Sequence, residues 1–193
     1  MEDYKVVLGL VSAALAIFGY FPYIWDSLKW KTTPHIYTWW LWGILTGVTF
    51  VIQLQNNGWA GSWVTWVTSF SCWVIVLIAL KLWAQNITRS DTISLVLAFV
   101  ALLAWYFLNN PLYSLILILI VETLAFYPTF RKSIKKPFEE TISTYIIASF
   151  RSVLGIFALT QINLVNVLFP IYLVVVYGWF ALMLIYLRSR KIW

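Results

Sequence analysis

Charged residues are scarce in this chain. Only 10% of its 193 residues are Asp, Glu, Lys or Arg, whereas 62% are hydrophobic. A soluble domain has about 25% charged residues, so this composition excludes an ordinary soluble fold. A membrane-spanning helix uses about 20 apolar residues, and seven such helices would occupy most of the chain. We therefore expect one multi-pass domain over residues 1–193, embedded in a lipid bilayer and connected by short loops.

Cysteine and histidine are nearly absent. Cys72 and His35 are the single representatives of their types, which excludes an intramolecular disulfide and a metal site built from clustered Cys and His ligands. The sequence also lacks a glycine-rich phosphate loop and a nucleophile elbow. These absences predict a protein that is not an enzyme and that uses no metal or cofactor.

Seven hydrophobic segments account for most of the length. An acidic start, Met1-Glu2-Asp3, differs from the basic start of a cleaved signal peptide, so we expect the first segment to remain as a helix. The segments predict seven transmembrane helices, at about residues 4–25, 36–54, 62–83, 92–108, 112–130, 141–159 and 167–187.

The positive charges lie on one side of the membrane when the seven predicted helices cross it in succession. Lys and Arg occur in the first, third and fifth loops and in the C-terminal tail, while the alternate loops have none and the N-terminus has only Lys5. The net charge of +6 therefore indicates orientation in a membrane rather than nucleic-acid binding. The positive-inside rule predicts an outside N-terminus and a cytoplasmic C-terminus.

The chain contains an internal repeat. Residues 18–83 and 124–189 align without a gap, 106 positions apart. The informative matches are Pro22 with Pro128, Ser27 with Ser133, Lys29 with Lys135, Thr38 with Thr144, Gln55 with Gln161, Asn57 with Asn163 and Trp73 with Trp179. This predicts an all-α membrane fold of two three-helix repeats, 4–83 and 112–187, joined by a linker helix at 92–108. Because a single linker helix crosses the membrane between them, the two repeats run parallel and are related by an axis along the membrane normal.

The repeated proline segments resemble those of a transporter superfamily. Phe21-Pro22-Tyr23-Ile24 is followed by Lys29 and Lys31, and Tyr127-Pro128-Thr129-Phe130 is followed by Lys135. With the three-plus-one-plus-three layout, these segments resemble the SWEET, SemiSWEET and PQ-loop superfamily, in a prokaryotic branch. Tyr23 and Thr129 stand where a PQ motif has glutamine. Helices 3 and 7 also lack the mid-helix asparagine of sugar-transporting members.

The resemblance implies a function. It implies transport of a small, mostly neutral solute, sugar-like or nucleoside-like, by alternating access between two three-helix bundles in a prokaryotic cytoplasmic membrane. A non-transporting receptor or chaperone-like protein on the same fold is the alternative. A retinal photoreceptor is excluded, because the predicted seventh helix contains no lysine for a Schiff base. The expected partners are the solute and the bilayer; assembly into a homo-oligomer stays open.

Pro22 and Pro128 are candidates for gate or hinge residues. A proline inside a helix removes one backbone hydrogen bond and weakens the preceding turn, which a gate can exploit. The alternative is that each proline merely ends its helix, since both stand close to a loop.

Several aromatic and hydroxyl residues are candidates for substrate binding. Trp66 and Trp73 are seven residues apart and share one helix face with Ser69, while Tyr177 and Trp179 stand at the matching depth of the last helix. An indole can stack on a sugar or heterocycle and still donate its N–H. Tryptophan that faces lipid or packs between helices is the alternative.

Glu122 and Arg151 are the remaining candidates. They are the only charged residues well inside the predicted spans, at nearly the same depth of consecutive helices. A charge at the bilayer centre costs about 2.5–3.5 kcal/mol on insertion scales. We therefore expect these two residues either to pair or to share a water-filled cavity with the substrate. A purely structural ion pair between helices 5 and 6 is the alternative.

Overall fold

The chain folds into α-helices. A computed structural model describes residues 3–82, 88–107 and 110–191. Within these ranges there are seven helices and no strand, namely α1 (Asp3–Leu28), α2 (Ile36–Gln55), α3 (Trp63–Lys81), α4 (Arg89–Tyr106), α5 (Pro111–Lys135), α6 (Ile142–Ala158) and α7 (Leu164–Lys191). Five of them are long and apolar enough to cross a membrane, while α6 is a shorter apolar helix of 17 residues. The prediction of a helical membrane protein with seven helices is confirmed.

Two helices run further than their hydrophobic segments predict. Helix α1 continues to Leu28 and α5 continues to Lys135, so Pro22 and Pro128 lie inside helices, more than one turn before their ends. Neither proline terminates its helix. The start of α5 follows from its sequence, because the Asn110 side chain accepts hydrogen bonds from the backbone N–H groups of Leu112 and Tyr113, at 2.9 and 3.3 Å.

The helices pack in a different order from their order in the chain. Helix α3 packs closely against both α1 and α2, and α7 packs closely against both α5 and α6. Consecutive helices α1 and α2, and likewise α5 and α6, meet through long side chains, such as Tyr23 with Trp39 and Phe126 with Tyr145. We call α1 to α3 the first bundle and α5 to α7 the second bundle. The bundles meet mainly through α1 with α6 and α2 with α5, and α4 packs on α5.

Aromatic side chains fill the space between the bundles. Buried rings come from both sides: Tyr20, Tyr23, Trp39 and Trp42 from the first bundle, and Phe126, Tyr145, Tyr177 and Phe180 from the second. The Trp42 ring stacks on Phe126, with ring centroids 5.5 Å apart. Edge contacts join Trp42 to Tyr177 and Phe126 to Phe180. Burial of such large rings stabilises the contact between the bundles by dispersion and by aromatic pairing.

Candidate functional site

The centre of the molecule holds a buried cation. Arg151 lies midway along α6 and is only 2% exposed. Its Nη1 donates to the Thr68 hydroxyl at 2.7 Å and its Nη2 donates to the Tyr20 hydroxyl at 2.9 Å. The guanidinium carbon also lies 4.9 Å from the Tyr20 ring centroid, within the range of a cation–π contact. Thr68 and Tyr20 belong to the first bundle, so this one side chain of the second bundle joins the two.

A buried carboxyl lies on α5. Glu122 is 2% exposed, and its Oε1 has no hydrogen-bond partner among the residues that the structure describes. Glu122 and Arg151 are thus both buried in the interior of the molecule.

Glu122 and Arg151 do not form a direct ion pair. The guanidinium is directed at Thr68 and Tyr20 instead. Pairing was expected from the idea that consecutive helices pack closely, but α7 packs closely against both α5 and α6, and these two helices meet through long side chains such as Phe126 and Tyr145. The direct pair, including its purely structural form, is therefore wrong. The other expectation, a cavity shared with substrate, stays a prediction.

A small cavity borders the guanidinium. Its volume of about 10 Å³ is close to the minimum that holds one water molecule. Polar side chains from both bundles line one part of it, namely Gln53, Thr65, Thr68, Arg151 and Ser152. The rest of the lining is apolar and comes chiefly from Val64 and from the first half of α7. The bundle interface thus contains a polar space beside its buried cation.

A line of hydrogen bonds leads from this cavity toward one end of the molecule. Thr65 donates to Gln53 Oε1 at 2.8 Å, and Gln53 Nε2 donates to the backbone carbonyl of Asn166 at 3.4 Å. The Asn166 side chain in turn donates to the carbonyls of Asn56 and Gln161, at 2.9 and 3.0 Å. Residues 56–62 and 159–163 form what we call the turn end. The line of hydrogen bonds therefore crosses from α2 to α7 and finishes at the turn end.

Pro170 explains why Gln53 finds an acceptor in a helix. Pro170 lies inside α7 and has no N–H, so the carbonyl four residues earlier, that of Asn166, lacks its usual helical donor. The Gln53 amide supplies a donor from the other bundle. Gln53 is 1% exposed, and a buried amide needs such a partner.

Small residues close the turn end. A Cβ added to Gly9 would come within 2.5 Å of the Ala60 carbonyl oxygen, and one added to Gly61 would come within 2.9 Å of the Gly155 carbonyl oxygen. The backbones of α1, α6 and the 3-10 turn Trp59–Ser62 therefore approach closely. The Ser12 hydroxyl adds a hydrogen bond of 2.7 Å to the Arg151 carbonyl. Dispersion contacts between backbones stabilise such close packing in membranes.

Polar contacts close the end of the molecule opposite the turn end. We call it the basic end and define it as residues 29–35 and 132–141. The hydroxyl oxygens of Thr32 and Thr141 are 2.8 Å apart, and Thr141 also donates to Asp26 at 3.0 Å. Lys132 forms a buried ion pair with Glu140 and donates to the Thr33 carbonyl at 2.7 Å. Asp26, Thr32 and Thr33 lie before α2, while Lys132 and Thr141 lie at the end of α5 or beyond it. The hydrogen bonds between these two groups therefore cross between the bundles, whereas the ion pair of Lys132 with Glu140 lies within the second bundle.

An exposed ion pair lies beside the buried one. Lys136 and Glu139 are 2.8 Å apart, and Thr33 donates to Glu139 at 3.1 Å. Partial burial by itself raises the pKa of the Glu139 carboxyl, but the hydrogen bonds from Lys136 and Thr33, with the charges of Lys136 and Lys132, outweigh it. The pKa of this carboxyl is therefore below its ordinary value, and Glu139 is ionised at neutral pH.

The predicted tryptophans lie on the outer surface of the bundle. Trp66, Trp73 and Trp179 are 55%, 40% and 53% exposed, away from the buried Arg151. Trp66 stacks on Phe70 of its own helix, and Trp179 stacks on Phe130 of α5. Their role in substrate binding stays a prediction, and this structure does not bring them together with the central residues.

The other predicted residues are divided between the helix contacts and the centre. Ser69 donates to the Gly43 carbonyl at 2.7 Å and so fastens α3 to α2. Tyr177 belongs to the central aromatic group. Pro22 is half-buried and Pro128 is buried, each within its helix. Of the predicted set, Tyr177, Glu122 and Arg151 are buried in the interior.

Sequence reasoning missed several polar residues of the centre. Tyr20, Gln53, Thr65, Thr68 and Asn166 are all buried and all take part in the central hydrogen bonds. A signal existed for two of them, because Thr65 and Thr68 are three residues apart and share a face of an otherwise apolar helix. Tyr20 and Asn166 carry no comparable local signal.

No cluster of three or more His, Cys, Asp or Glu side chains that could hold a metal occurs in the ranges that the structure describes. In comparisons with models of known families, with curated proteins and with solved structures, no match to the chain was found.

Proposed function

We propose that the protein is a transporter that moves a small, mostly neutral solute, sugar-like or nucleoside-like, by alternating access between its two three-helix bundles. The observation that carries this proposal is that separate sets of contacts cross between the bundles at the two ends of the molecule, with buried polar groups between them. Such an interface can open at either end around a central site.

The helix packing supports a duplicated, SWEET-like arrangement. The third helix of each triplet packs against the other two, and each bundle contributes its first helix to contact the second helix of its partner. A matched hydrogen bond adds to this: Ser69 of α3 donates to the Gly43 carbonyl of α2, and Ser149 of α6 donates to the Val174 carbonyl of α7. Positions 43 and 149 are equivalent in the repeat, and positions 69 and 175 lie next to the matching contact.

The two ends differ in the way that alternating access requires. At the basic end the crossing contacts are hydrogen bonds, between Thr32 and Thr141 and from Lys132 to the Thr33 carbonyl, which water and lipid headgroups can replace when the bundles separate. At the turn end they are backbone packing through glycines and a few hydrogen bonds. We propose that the basic end faces the cytoplasm of a prokaryotic cell, following the charge distribution of the loops.

Uptake by purified protein in liposomes tests the proposal. Radiolabelled glucose, sucrose, adenosine and nicotinamide riboside are offered separately, and at least one is expected to enter faster than into protein-free liposomes. Saturation of the rate with solute concentration distinguishes a carrier from a leak. Absence of uptake for every neutral and charged solute offered would favour the non-transporting receptor instead.

Replacement of the repeated prolines is expected to slow this transport. Pro22→Ala and Pro128→Ala each restore a backbone hydrogen bond inside a helix and stiffen the segment that we propose to bend. The folded protein should be as stable as the parent or more stable in thermal unfolding, while the uptake rate falls. Pro111→Ala is the matched control and should transport normally, because this exposed proline stands at the first position of α5, where its missing N–H breaks no helical hydrogen bond. Normal uptake by either helix variant would show that its proline is not a hinge.

A further inference from the structure

Arg151 is a buried cation without a nearby anion. No carboxylate of the described residues lies within ion-pair distance of it, and its side-chain partners are the neutral hydroxyls of Thr68 and Tyr20. Buried Lys132 provides the contrast, because it pairs with Glu140. Neutral hydrogen bonds satisfy donors but leave the charge uncompensated, which is costly away from water. An ionisable residue kept at such a position is a candidate for function rather than for stability.

The guanidinium has donors to spare for an anion. It carries five N–H groups in a planar fork, and the contacts to Thr68 and Tyr20 use one of each Nη group. This fork matches the two oxygens of a carboxylate, which accept parallel hydrogen bonds. The polar cavity is lined by Arg151 together with Gln53, Thr65 and Ser152. The hydroxyls of Thr65 and Ser152 already donate to Gln53 and to the Ala148 carbonyl, so the guanidinium supplies the charge and the donors that an oxyanion would meet there.

A line of hydrogen bonds joins the cavity lining to the turn end. It runs from Thr65 through Gln53 to Asn166, and the step from Gln53 to Asn166 crosses between the bundles. Separation of the bundles at that end would break this step and expose the polar side of the cavity. The volume of about 10 Å³ in this structure would then enlarge to admit a solute.

We propose that Arg151 is the anchor for a carboxylate on the transported solute. The substrate class is therefore small carboxylates, of which a sugar acid is one. This proposal rests on the transport function and assigns it an anionic substrate in place of the mostly neutral solute. The solute charge is neutralised in the site by the guanidinium.

Matched acid and neutral probes test the anchor by ligand-induced thermal stabilisation of the purified protein. The pairs are glucuronate with glucose, lactate with lactamide and nicotinate with nicotinamide, at constant ionic strength set with sodium chloride. At least one acid is expected to raise the melting temperature by a few degrees, and its neutral partner is not. Arg151→Gln should lower the affinity for that acid about tenfold to a hundredfold. Arg190→Gln, at the exposed end of α7, is the control and should bind as the parent does.

A second variant covers the case in which Arg151→Gln does not fold. Thr68→Val removes a neutral partner but keeps the guanidinium, so the acid-specific stabilisation should persist at parental strength or greater. The anchor would be overturned if the acid-specific stabilisation were lost in Thr68→Val or persisted in Arg151→Gln. It would also be overturned if the parent protein showed no acid-specific shift in melting temperature, or if the neutral partners stabilised it equally. Uptake of a neutral solute without acid binding overturns only the anchor. Acid binding through Arg151 without uptake in liposomes supports the anchor and contradicts transport.

Discussion

Transport is expected to stop when the bundles are joined at the basic end. The hydroxyl oxygens of Thr32 and Thr141 are 2.8 Å apart, so sulfurs placed at these positions come near bonding distance. In a Cys72→Ser background, oxidised Thr32→Cys/Thr141→Cys protein should show the uptake of protein-free liposomes. Reduction should restore transport. The physical reason is that alternating access requires this end to separate, and a covalent bond prevents it.

A cross-link inside one bundle is the matched control. A Cβ at Gly178 would lie 3.3 Å from the Ser149 hydroxyl oxygen, and both positions belong to the second bundle. Oxidised Ser149→Cys/Gly178→Cys protein should therefore keep its transport, because the bundle moves as a unit. Uptake that is equal in the oxidised and reduced forms of the 32/141 variant, with the disulfide demonstrated, would show that the basic end does not open. Alternating access between these bundles would then be wrong.

Loss of Lys132 is expected to be the most damaging single change in stability at the basic end. Lys132→Met keeps the aliphatic stem but leaves the Glu140 carboxylate, in a residue that is 2% exposed, without its cation. Stranding one member of a buried pair typically costs about 3–5 kcal/mol. The Tyr145 hydroxyl still donates to Glu140 at 2.9 Å but cannot neutralise it. Chemical unfolding of the purified protein measures the free-energy change.

The neighbouring exposed pair provides the control for this effect. Lys136 and Glu139 have side-chain exposures of 59% and 30%, so Lys136→Met should cost less than about 1 kcal/mol. Adding Glu140→Gln to Lys132→Met should recover part of the lost stability, because it removes the stranded charge. Equal losses for the two lysine variants, or strictly additive losses for the Lys132 and Glu140 changes, would contradict the importance of the buried pair.

Helix content was predictable because its signals are local. A run of about 20 apolar residues specifies a membrane helix regardless of what packs against it. Such runs identified the positions of all seven helices, although α5 extends beyond its apolar segment to Lys135, past the predicted boundary. Glu122 and Arg151 also stood out from the sequence, because a charge inside an apolar segment is rare and costly.

The packing partners of the helices and the directions in which their side chains face were not predictable in the same way. Helix α3 is apolar on nearly all sides, so its sequence does not distinguish a tryptophan that faces the centre from one that faces outward. Trp66 and Trp73 were predicted to bind substrate and lie on the outer surface. Arg151 was expected to contact Glu122 on the preceding helix, but the order in which the helices pack differs from their order in the sequence.

The sequence by itself determined that this protein is helical and suited to a membrane, because hydrophobic length is a property of the chain. Tertiary structure alone decided that Arg151 meets Tyr20 and Thr68, and that Gln53 reaches the Asn166 carbonyl that Pro170 leaves without a donor. Each of these contacts joins residues more than 80 positions apart. The first two depend on how α1, α3 and α6 pack together and the third on how α2 packs against α7, and no local pattern of residues encodes that packing.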